Sequence, residues 1–273
     1  MPEGPEIRLA ADRVAEVLVG ERIQSLQLSV PALQRYESCL GGTMVRAVDA
    51  HGKAMLTRFD NDLTLYSHNQ LYGRWYVGKP GVTPRTNRSL RVALHTARGS
   101  AWLYSASDIQ VLDAEGLAVH PYLSRLGPDI LDPTLCWRQV AERLLEPRFA
   151  GRSLAALYLD QTFLAGLGNY LRSEILYFAG LSHQRRPREL ERTEIGRLAR
   201  QTLSIARRSY QTRGVTNPPA RVRARKAAGE ARRGQYRFAV FDREGLPCDG
   251  CGTPIVRVEA GSRRVYFCPR CQG

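Results

Sequence analysis

The sequence predicts an α+β protein of two domains, a strand-rich one followed by a helical one that ends in a small metal-binding module. Three observations support this class. Short runs rich in Val, Leu, Thr and Tyr alternate with turn residues between positions 22 and 112. Stretches with helical periodicity follow Pro133. Four cysteines then stand in two close pairs near the carboxyl terminus.

The first predicted element is an amphipathic helix over residues 5–19. Its apolar residues recur at the i, i+3, i+4, i+7 spacing of one buried stripe. Pro5 suits the first turn, Glu6 suits the positive end of the helix dipole, and Gly20 suits the end of the helix. The helix should therefore pack one face against the strands that follow.

Residues 22–112 predict an antiparallel, sandwich-like layer of strands. Turn signals such as Asp60-Asn61-Asp62 and Arg98-Gly99 separate the runs. The predicted strands are Arg22–Val30, Met44–Asp49, Ala54–Phe59, Leu63–Ser67, Leu90–His95 and Ala101–Ser105.

The second half of the chain predicts helices joined by loops. The stretch Leu126-Gly127-Pro128-Asp129 is typical of a linker, and 213–237 predicts a mobile basic loop, with eight basic residues against one acid. We expect a first domain over 1–125, a linker over 126–134, a helical domain over 135–237 and a terminal module over 238–273. The predicted helices are Trp137–Leu145, Ser153–Leu159, Tyr170–Ala179 and Glu189–Arg208.

The composition points to a polyanionic partner. The 273 residues carry 40 Lys+Arg against 26 Asp+Glu, a formal net charge of +14, which favours nucleic acid. The 43% of hydrophobic residues suffices for a packed core. No run of about 18 apolar residues predicts a membrane span, and the acids and prolines of the amino terminus are unlike a signal peptide. We therefore expect a cytoplasmic protein that is a monomer and does not bind membranes.

The cysteine spacing predicts a structural zinc site. Cys248-x2-Cys251 and Cys268-x2-Cys271 would supply four thiolates to one tetrahedral Zn²⁺, with no open position for catalysis. Thr253–Glu259 and Arg264–Phe267 would form a hairpin closed by the turn at 260–262. The alternative is a pair of disulfides, which is uncommon in a protein that is not secreted.

The two remaining cysteines and one arginine complete the predictions for the terminal half. Cys39 and Cys136 are expected to be ordinary core residues. Arg263 lies at the predicted hairpin tip, where a guanidinium could bind phosphate bidentately. It could equally be a solvated surface arginine.

The amino terminus holds a candidate nucleophile. If Met1 is removed, Pro2 carries a free secondary amine, and an α-amino group titrates near 7.7–8.0 against about 10.4 for lysine. Such an amine can attack an aldehyde-level carbon and form an iminium, with Glu3 beside it to move protons. The alternative is an ordinary helix lead-in. Lys53 enters an apolar strand after Gly52, where it either extends to water or binds an anion.

These motifs together resemble the bacterial formamidopyrimidine-DNA glycosylase/endonuclease VIII family. The resemblance covers nearly the whole chain because four motifs occur in the family order. They are Met-Pro-Glu-Gly-Pro-Glu at 1–6, Gly52-Lys53 before a strand, Leu159-Asp160-Gln161 leading to Gly166-Leu167-Gly168-Asn169-Tyr170, and the four-cysteine finger. Within the family, Ser67–Gly73 looks like endonuclease VIII, the branch that acts on oxidised pyrimidines.

The resemblance implies a bifunctional DNA glycosylase/AP lyase of base excision repair that acts on double-stranded DNA with oxidised bases or abasic sites. Its fold would be a helix plus β-sandwich, a helix–two-turn–helix domain and a zinc finger, with DNA in the cleft between domains. Pro2 would form the Schiff base, Glu3 would act as general acid/base, and Lys53 would bind phosphate and move a proton.

The resemblance also implies DNA contacts. Arg263 would grip the phosphates that flank the lesion and assist δ-elimination; register favours it over Arg264, because it lies five residues before Cys268. The remaining residues implied to contact DNA are Gln70, Leu71 and Tyr72, which would fill the gap left by the everted nucleotide, and Arg125 and Asn169, which would contact the backbone.

The sequence is also compatible with three other functions. The stretch 214–235 is longer and more basic than in the endonuclease VIII proteins, and in the sister branch the corresponding loop covers a flipped purine. A glycosylase for oxidised purines is therefore one alternative. A non-catalytic zinc-finger protein that binds damaged DNA is a second, and a small-molecule tautomerase with an amino-terminal proline is a third.

Overall fold

The computed structural model describes residues 2–261 and 263–273. The turn predicted at 260–262 therefore lies partly outside the described residues, as does Met1. The chain divides into two compact units, the first ending at Arg125 and the second spanning Leu126–Gly273.

The first unit opens with α1 (Gly4–Leu18), which confirms the predicted amphipathic helix. Pro5 lies in its first turn, where a backbone N–H would have no partner within the helix, so the missing N–H of proline costs no hydrogen bond. Gly20 follows the helix with a φ of 79°, a left-handed conformation that favours glycine. The residues buried on one face of α1 include Ile7, Ala11, Val14 and Leu18.

Two four-stranded antiparallel sheets follow, as the sequence predicts. The strands are β1 (Ser25–Leu28), β2 (Val45–His51), β3 (Ala54–Phe59), β4 (Thr64–His68), β5 (Arg74–Gly78), β6 (Leu90–His95), β7 (Ser100–Tyr104) and β8 (Asp108–Leu112). The first sheet has the order β2-β3-β4-β8 and the second has the order β1-β6-β7-β5. One apolar cluster receives side chains from α1 and from both sheets, so the unit is a sandwich with a helix on its core.

Several elements of the first unit were not among the specific predictions. Strands β5 and β8 are short and carry polar residues that weaken the β pattern. A 3-10 helix (Pro31–Tyr36) runs into α2 (Glu37–Leu40), and α3 (Ala114–Val119) follows β8. The side chain of Asp113 caps α3 by accepting from the N–H of Gly116 at 2.8 Å.

The second unit is helical around one apolar cluster. Three predicted helices are found with ends shifted by three residues or fewer, whereas the predicted helix 153–159 shortens to a single turn. The helices are α4 (Trp137–Leu144), α5 (Pro147–Ala150), α6 (Leu154–Leu157), α7 (Asn169–Ala179) and α8 (Arg192–Gln211). A terminal hairpin, β9 (Val256–Ala260) and β10 (Arg263–Phe267), confirms the predicted ribbon.

The basic segment 213–237 is structured, which corrects its prediction as a mobile loop. It contains α9 (Pro219–Ala227) and α10 (Arg233–Tyr236). Its base is closed where Thr216 N–H donates to the carbonyl of Arg237 at 3.0 Å and the Asn217 amide donates to that of Tyr236 at 3.0 Å. The Pro218-Pro219 pair, which indicated a loop, instead supplies the N-cap and first turn of α9.

Buried polar residues join the helices to the terminal module. The carboxylate of Glu174 on α7 has no exposed surface and accepts backbone N–H groups of Ala239, Val240 and Phe241 at 2.8–2.9 Å. The hydroxyl of Thr216 donates to the same carboxylate. Four donors on one buried anion fix the start of the terminal module against α7.

The prediction that Cys39 and Cys136 are core residues is wrong, because both are exposed. Cys39 lies in α2, where its thiol contacts the carbonyl of Tyr36, and Cys136 is the N-cap of α4. Neither position requires an apolar side chain. In the described part of the chain, no helix is both long and apolar enough to cross a membrane.

Candidate functional site

The amino terminus brings Glu3 into a buried position. Glu3 is the N-cap of α1 and only 3% exposed. Its N–H donates to the carboxylate of Glu6 at 3.1 Å, which is one half of a capping box. Pro2, half-buried, directly precedes it. The helix start thus fixes the Glu3 backbone immediately beside Pro2.

Lys53 lies in the tight turn between β2 and β3. Gly52 takes a φ of 60° there, so glycine permits the turn. The N–H of Lys53 donates to the hydroxyl of Tyr122 at 3.1 Å, which anchors the turn to a residue 69 positions away. Lys53 is half-buried, and α1 packs against β2, the strand that leads into its turn.

The loop that follows β4 presents two large apolar side chains to solvent. Leu71 is 57% exposed and Tyr72 is 67% exposed. Gln70 has a φ of 47°, and its side-chain oxygen accepts the Ser107 hydroxyl at 2.6 Å. The loop is therefore held at its base while its apical residues project outward.

The sheet register brings the Lys53 turn and the loop over residues 69–73 to the same end of one sheet. Ala54, the residue after Lys53, pairs with His68, the last residue of β4. His68 in turn pairs with Asp108, the first residue of β8. The sequence predicted Lys53 and Gln70 separately, and strand pairing makes them neighbours.

His68 connects these two candidate regions, and sequence reasoning missed it. Its Nδ1 accepts the N–H of Gln70 at 3.1 Å, and its ring lies edge-on to Tyr122 with centroids 5.2 Å apart. Burial lowers the pKa of His68; Asp108 opposes this shift and the charge of Lys53 adds to it. A neutral imidazole is what the Nδ1 acceptor role requires.

Tyr122 is itself held by a second histidine. Nδ1 of buried His120 accepts the N–H groups of Tyr122 and Leu123 at 3.2 and 3.3 Å. The Lys53 turn therefore rests on a short chain of polar contacts. A signal for it existed in the sequence, since four of the five histidines lie between 51 and 120.

In the second unit, Asn169 and the finger hairpin are joined by a buried arginine. Arg172 has no exposed surface. It donates to the Asn169 side-chain oxygen at 2.7 Å, to the carbonyl of Arg264 at 2.8 Å and to that of Ala155 at 2.9 Å. Arg172 was also missed, although its charge and that of Glu174 interrupt an otherwise apolar helix.

The loop before α7 is shaped by Gln161. Its amide donates to the carbonyls of Leu159 and Leu167 at 3.0 and 2.9 Å, and its oxygen accepts the N–H of Gly166 at 3.1 Å. Gly166 has a φ of 96°. These contacts set the direction in which the chain enters the helix at Asn169.

Arg263 opens β10 and is exposed, next to the turn of the hairpin. Arg264 also faces solvent but lies 3.5 Å from the carboxylate of Glu259 on the paired strand. Among the described residues, Arg263 makes no such ion pair. Arg125, in a 3-10 helix at the end of the first unit, is exposed and donates to the carbonyl of Pro121 at 2.8 Å.

The four predicted zinc ligands meet at one point. Their sulfur atoms all lie within 4.8 Å of one another, with separations of 3.9 Å for Cys248–Cys271 and 3.4 Å for Cys251–Cys268. Zn–S bonds of about 2.3 Å in a tetrahedron place sulfurs roughly 3.8 Å apart, whereas a disulfide needs about 2.05 Å. The residues therefore fit a tetrahedral metal ion and not two disulfides.

Comparison with known proteins places the chain in a family. Residues 1–108 match the formamidopyrimidine-DNA glycosylase N-terminal domain, residues 126–217 match the H2TH domain of the same glycosylase, and residues 245–273 match the zinc finger found in FPG and IleRS. The sequence is 49% identical over 272 residues to proteins named endonuclease 8 from Shigella sonnei and Escherichia coli, with 100% of each chain covered.

A solved structure shares the fold. It is a complex of wild-type Lactococcus lactis Fpg (MutM) with DNA containing N7-benzyl-Fapy-dG, with a TM-score of 0.81 at 21% identity and 99% of both chains covered. The chain thus belongs to the formamidopyrimidine-DNA glycosylase/endonuclease VIII family. It is a DNA glycosylase with AP lyase activity that acts in base excision repair, and its finger is a structural zinc site. This assignment replaces the two alternatives of a non-catalytic DNA-binding protein and a small-molecule tautomerase.

We predict that Cys251→Ser abolishes stoichiometric zinc binding and unfolds the terminal hairpin, because about 30 residues cannot hold a fold without the metal. Metal analysis by mass spectrometry and the thermal transition of the finger measure this. Cys136→Ser, at an exposed cysteine outside the cluster, is the control and should keep the zinc of the parent chain. Unchanged zinc in Cys251→Ser would contradict the ligand assignment.

We predict that His68 makes the first unit less stable in acid. Because its folded pKa lies below the ordinary value of about 6.5, the unfolded chain takes up the proton first, so stability falls as the pH drops below that value. His68→Asn keeps an acceptor near the Nδ1 position but does not titrate. Urea unfolding at pH 7.5 and 5.5 should therefore show a smaller loss for the variant. Equal losses would contradict the assignment.

Proposed function

We propose that, once Met1 is removed, the Pro2 nitrogen attacks C1′ of the damaged nucleotide. The N-glycosidic bond breaks, the base leaves with a proton, and opening of the sugar ring leaves an iminium between Pro2 and C1′. The observation that carries this proposal is the burial of a carboxylate, Glu3, directly after Pro2. A buried acid can exchange protons, without competition from water, with a neighbouring amine whose pKa lies near neutral pH.

Glu3 would accept the N–H proton that the Pro2 nitrogen loses after attack and pass it to the ring oxygen as the sugar opens. The iminium then withdraws electrons from the C1′–C2′ bond, which acidifies the C2′ hydrogen. Loss of that proton breaks the C3′–O bond by β-elimination, and a second elimination breaks the C5′–O bond. Hydrolysis of the iminium returns the free amine of Pro2.

Lys53 would bind a phosphate beside the opened sugar and move a proton during β-elimination. Its position at the sheet end, with the N–H held by Tyr122 and His68 nearby, supports this role. Arg263, exposed at the start of β10, would bind the phosphates that flank the lesion and assist the second elimination.

Gln70, Leu71 and Tyr72 would fill the gap left by the everted nucleotide. Eversion costs a few kcal/mol of unstacking, and exposed apolar side chains on an anchored loop offset part of it. Asn169 and Arg125 would contact the DNA backbone, which supplies affinity without sequence preference.

Oxidised pyrimidines are the proposed lesion class. The support is the full-length 49% identity to proteins named endonuclease 8 and the Ser67–Gly73 motif. The long basic segment 213–237 favours oxidised purines as the second candidate. The related Lactococcus lactis protein has solved complexes both with N7-benzyl-Fapy-dG DNA and with DNA that contains an oxidised pyrimidine, so it does not decide between the two classes.

The domain boundaries 1–125, 126–134, 135–237 and 238–273 are proposed as functional divisions.

We also propose that the protein binds one zinc ion, acts as a monomer and is associated with the nucleoid. The single four-cysteine cluster among the described residues supports the zinc count.

We predict that Glu3→Gln lowers removal of an oxidised base by about 100-fold or more. Cleavage at a pre-formed abasic site should fall by less than about tenfold, since the Pro2 amine can attack an existing aldehyde. Single-turnover cleavage of both DNAs measures the two steps. Glu16→Gln, an exposed glutamate on the same helix, is the control. Equal losses on both substrates would contradict this division of roles.

We predict that a panel of duplexes with defined lesions shows a higher kcat/KM for an oxidised pyrimidine than for 8-oxoguanine, by about tenfold or more. A preference for the purine would replace the proposed lesion class with its alternative. Borohydride trapping on abasic DNA is a control for activity independent of the base.

A further inference from the structure

The basic helix α9 is attached by a partly buried ion pair to the first zinc knuckle, the turn Cys248–Cys251. Arg225 is 6% exposed, and its Nη2 donates to both carboxylate oxygens of Asp249 at 2.7 and 2.6 Å. Asp249 directly follows the zinc ligand Cys248. Two short, charge-assisted hydrogen bonds from one guanidinium nitrogen hold Asp249 against Arg225.

The same guanidinium also closes the segment that contains α9. Its Nη1 donates to the carbonyl of Phe238 at 3.2 Å and to that of Gln235. Arg225 therefore connects α9, the end of the basic segment and the knuckle. The hydrogen bonds at the base of the segment join Thr216 and Asn217 to Arg237 and Tyr236, and one longer contact, from Arg221 to the Asn217 side-chain oxygen at 3.4 Å, reaches α9.

Asp249 is the charge on which this arrangement depends. Arg221 and Arg243 also lie 3.4 Å from its carboxylate, so three guanidinium groups share one anion. Glu230 lies 3.7 Å from Arg225 on the other side. Without Asp249, Arg225 and Arg243 would be buried without their common counter-charge, which is strongly unfavourable.

The side of α9 that faces solvent carries positive charge. Arg223 and Lys226 are exposed, and the ammonium of Lys226 lies 4.7 Å from the centre of the Tyr236 ring. Exposed cations on a helix of fixed position suit a phosphate backbone. The Arg225–Asp249 pair therefore sets where these charges are presented.

We propose that Asp249 is a positioning residue for the basic segment 213–237, acting through Arg225, so that the zinc knuckle determines where α9 meets the DNA substrate. The inference rests on the proposed function for its effect on lesion preference. Its structural part, the docking of α9 by the Arg225–Asp249 pair, stands without it. The zinc finger would thereby contribute to substrate choice in addition to holding Arg263.

Cleavage by endoproteinase Glu-C at Glu230 tests the docking directly. Glu230 is the one acidic residue between 213 and 237, so the cut is specific within the segment. All variants below keep Glu230, and Asp249→Asn also keeps Arg225, which lies 3.7 Å from it. We compare Asp249→Asn and Arg225→Gln, in the full zinc-loaded chain, with Arg223→Gln, which removes an exposed charge from the same helix. Mass spectrometry follows the fragment that ends at Glu230.

The expected result is that Asp249→Asn and Arg225→Gln are each cut at Glu230 about tenfold faster or more than the parent chain, while Arg223→Gln is cut at the parent rate. Rates within about twofold of the parent for both variants would overturn the proposal. If Asp249→Asn loses zinc, Arg225→Gln decides by the same criterion, because it leaves the knuckle sequence intact.

Activity measurements test the consequence for specificity. In the variants that are cut faster at Glu230, the ratio of kcat/KM for an oxidised pyrimidine to kcat/KM for 8-oxoguanine should shift by about threefold or more. This shift should exceed any change in the rate of cleavage at a pre-formed abasic site. An unchanged ratio in variants that are cut faster would refute positioning of α9 as a determinant of substrate choice. If the parent chain removes neither base, the proposed function fails, and the rate of cutting at Glu230 still decides the docking.

Discussion

One arginine without exposed surface, Arg172, organises the second unit. It lies in the first turns of α7 and donates to the Asn169 side chain, to the Arg264 carbonyl on β10 and to a carbonyl of α6. Hydrogen bonds from a charged donor contribute about 1.5–3 kcal/mol each, so these contacts strongly favour one geometry. The helix start that carries Asn169 and the finger strand that carries Arg263 are therefore parts of one rigid arrangement.

The first unit achieves a similar result by strand register. Pairing of Ala54 with His68 places the Lys53 turn beside the loop that exposes Leu71 and Tyr72. His68 and Tyr122 then join the two by a hydrogen bond each and by contact between their rings. Lys53, for which we propose a role in proton transfer, and Leu71 and Tyr72, which we propose as a wedge, thus share one sheet end, and a one-residue slip in register would separate them.

Sequence reasoning succeeded where a pattern has one physical meaning. The spacing of Cys248, Cys251, Cys268 and Cys271 implies a tetrahedral thiolate site, and the apolar stripe of α1 implies a buried helix face. It failed where a residue type has two uses. Pro218-Pro219 predicted a loop, but proline also fits a helix start, and the buried contacts of Arg225 stabilise the helix that follows.

Long-range partners account for the other errors. Arg172 contacts Arg264, 92 positions away, and Tyr122 contacts Lys53, 69 positions away. His68 lies opposite Asp108, 40 positions away. A local sequence pattern does not predict such distant pairs. Cys39 and Cys136 were assigned to the core from the usual burial of cysteine, yet both are exposed in helix-terminal positions. The candidate roles of Pro2 and Glu3 follow from the chemistry of an amino-terminal amine beside an acid, and the order of motifs, which resembles that of a known family, adds the role of Lys53.

Locating the covalent bond to the sugar tests the central claim most directly. The processed protein is reacted with DNA that contains an abasic site, reduced with borohydride, digested with nuclease and trypsin, and mapped by mass spectrometry. The account predicts that the sugar remnant lies on the amino-terminal peptide Pro2–Arg8, with its mass on the Pro2 nitrogen, and that an uncleaved amino-terminal extension abolishes it. A remnant on Lys53, or none on any peptide of an active preparation, would contradict the proposed nucleophile.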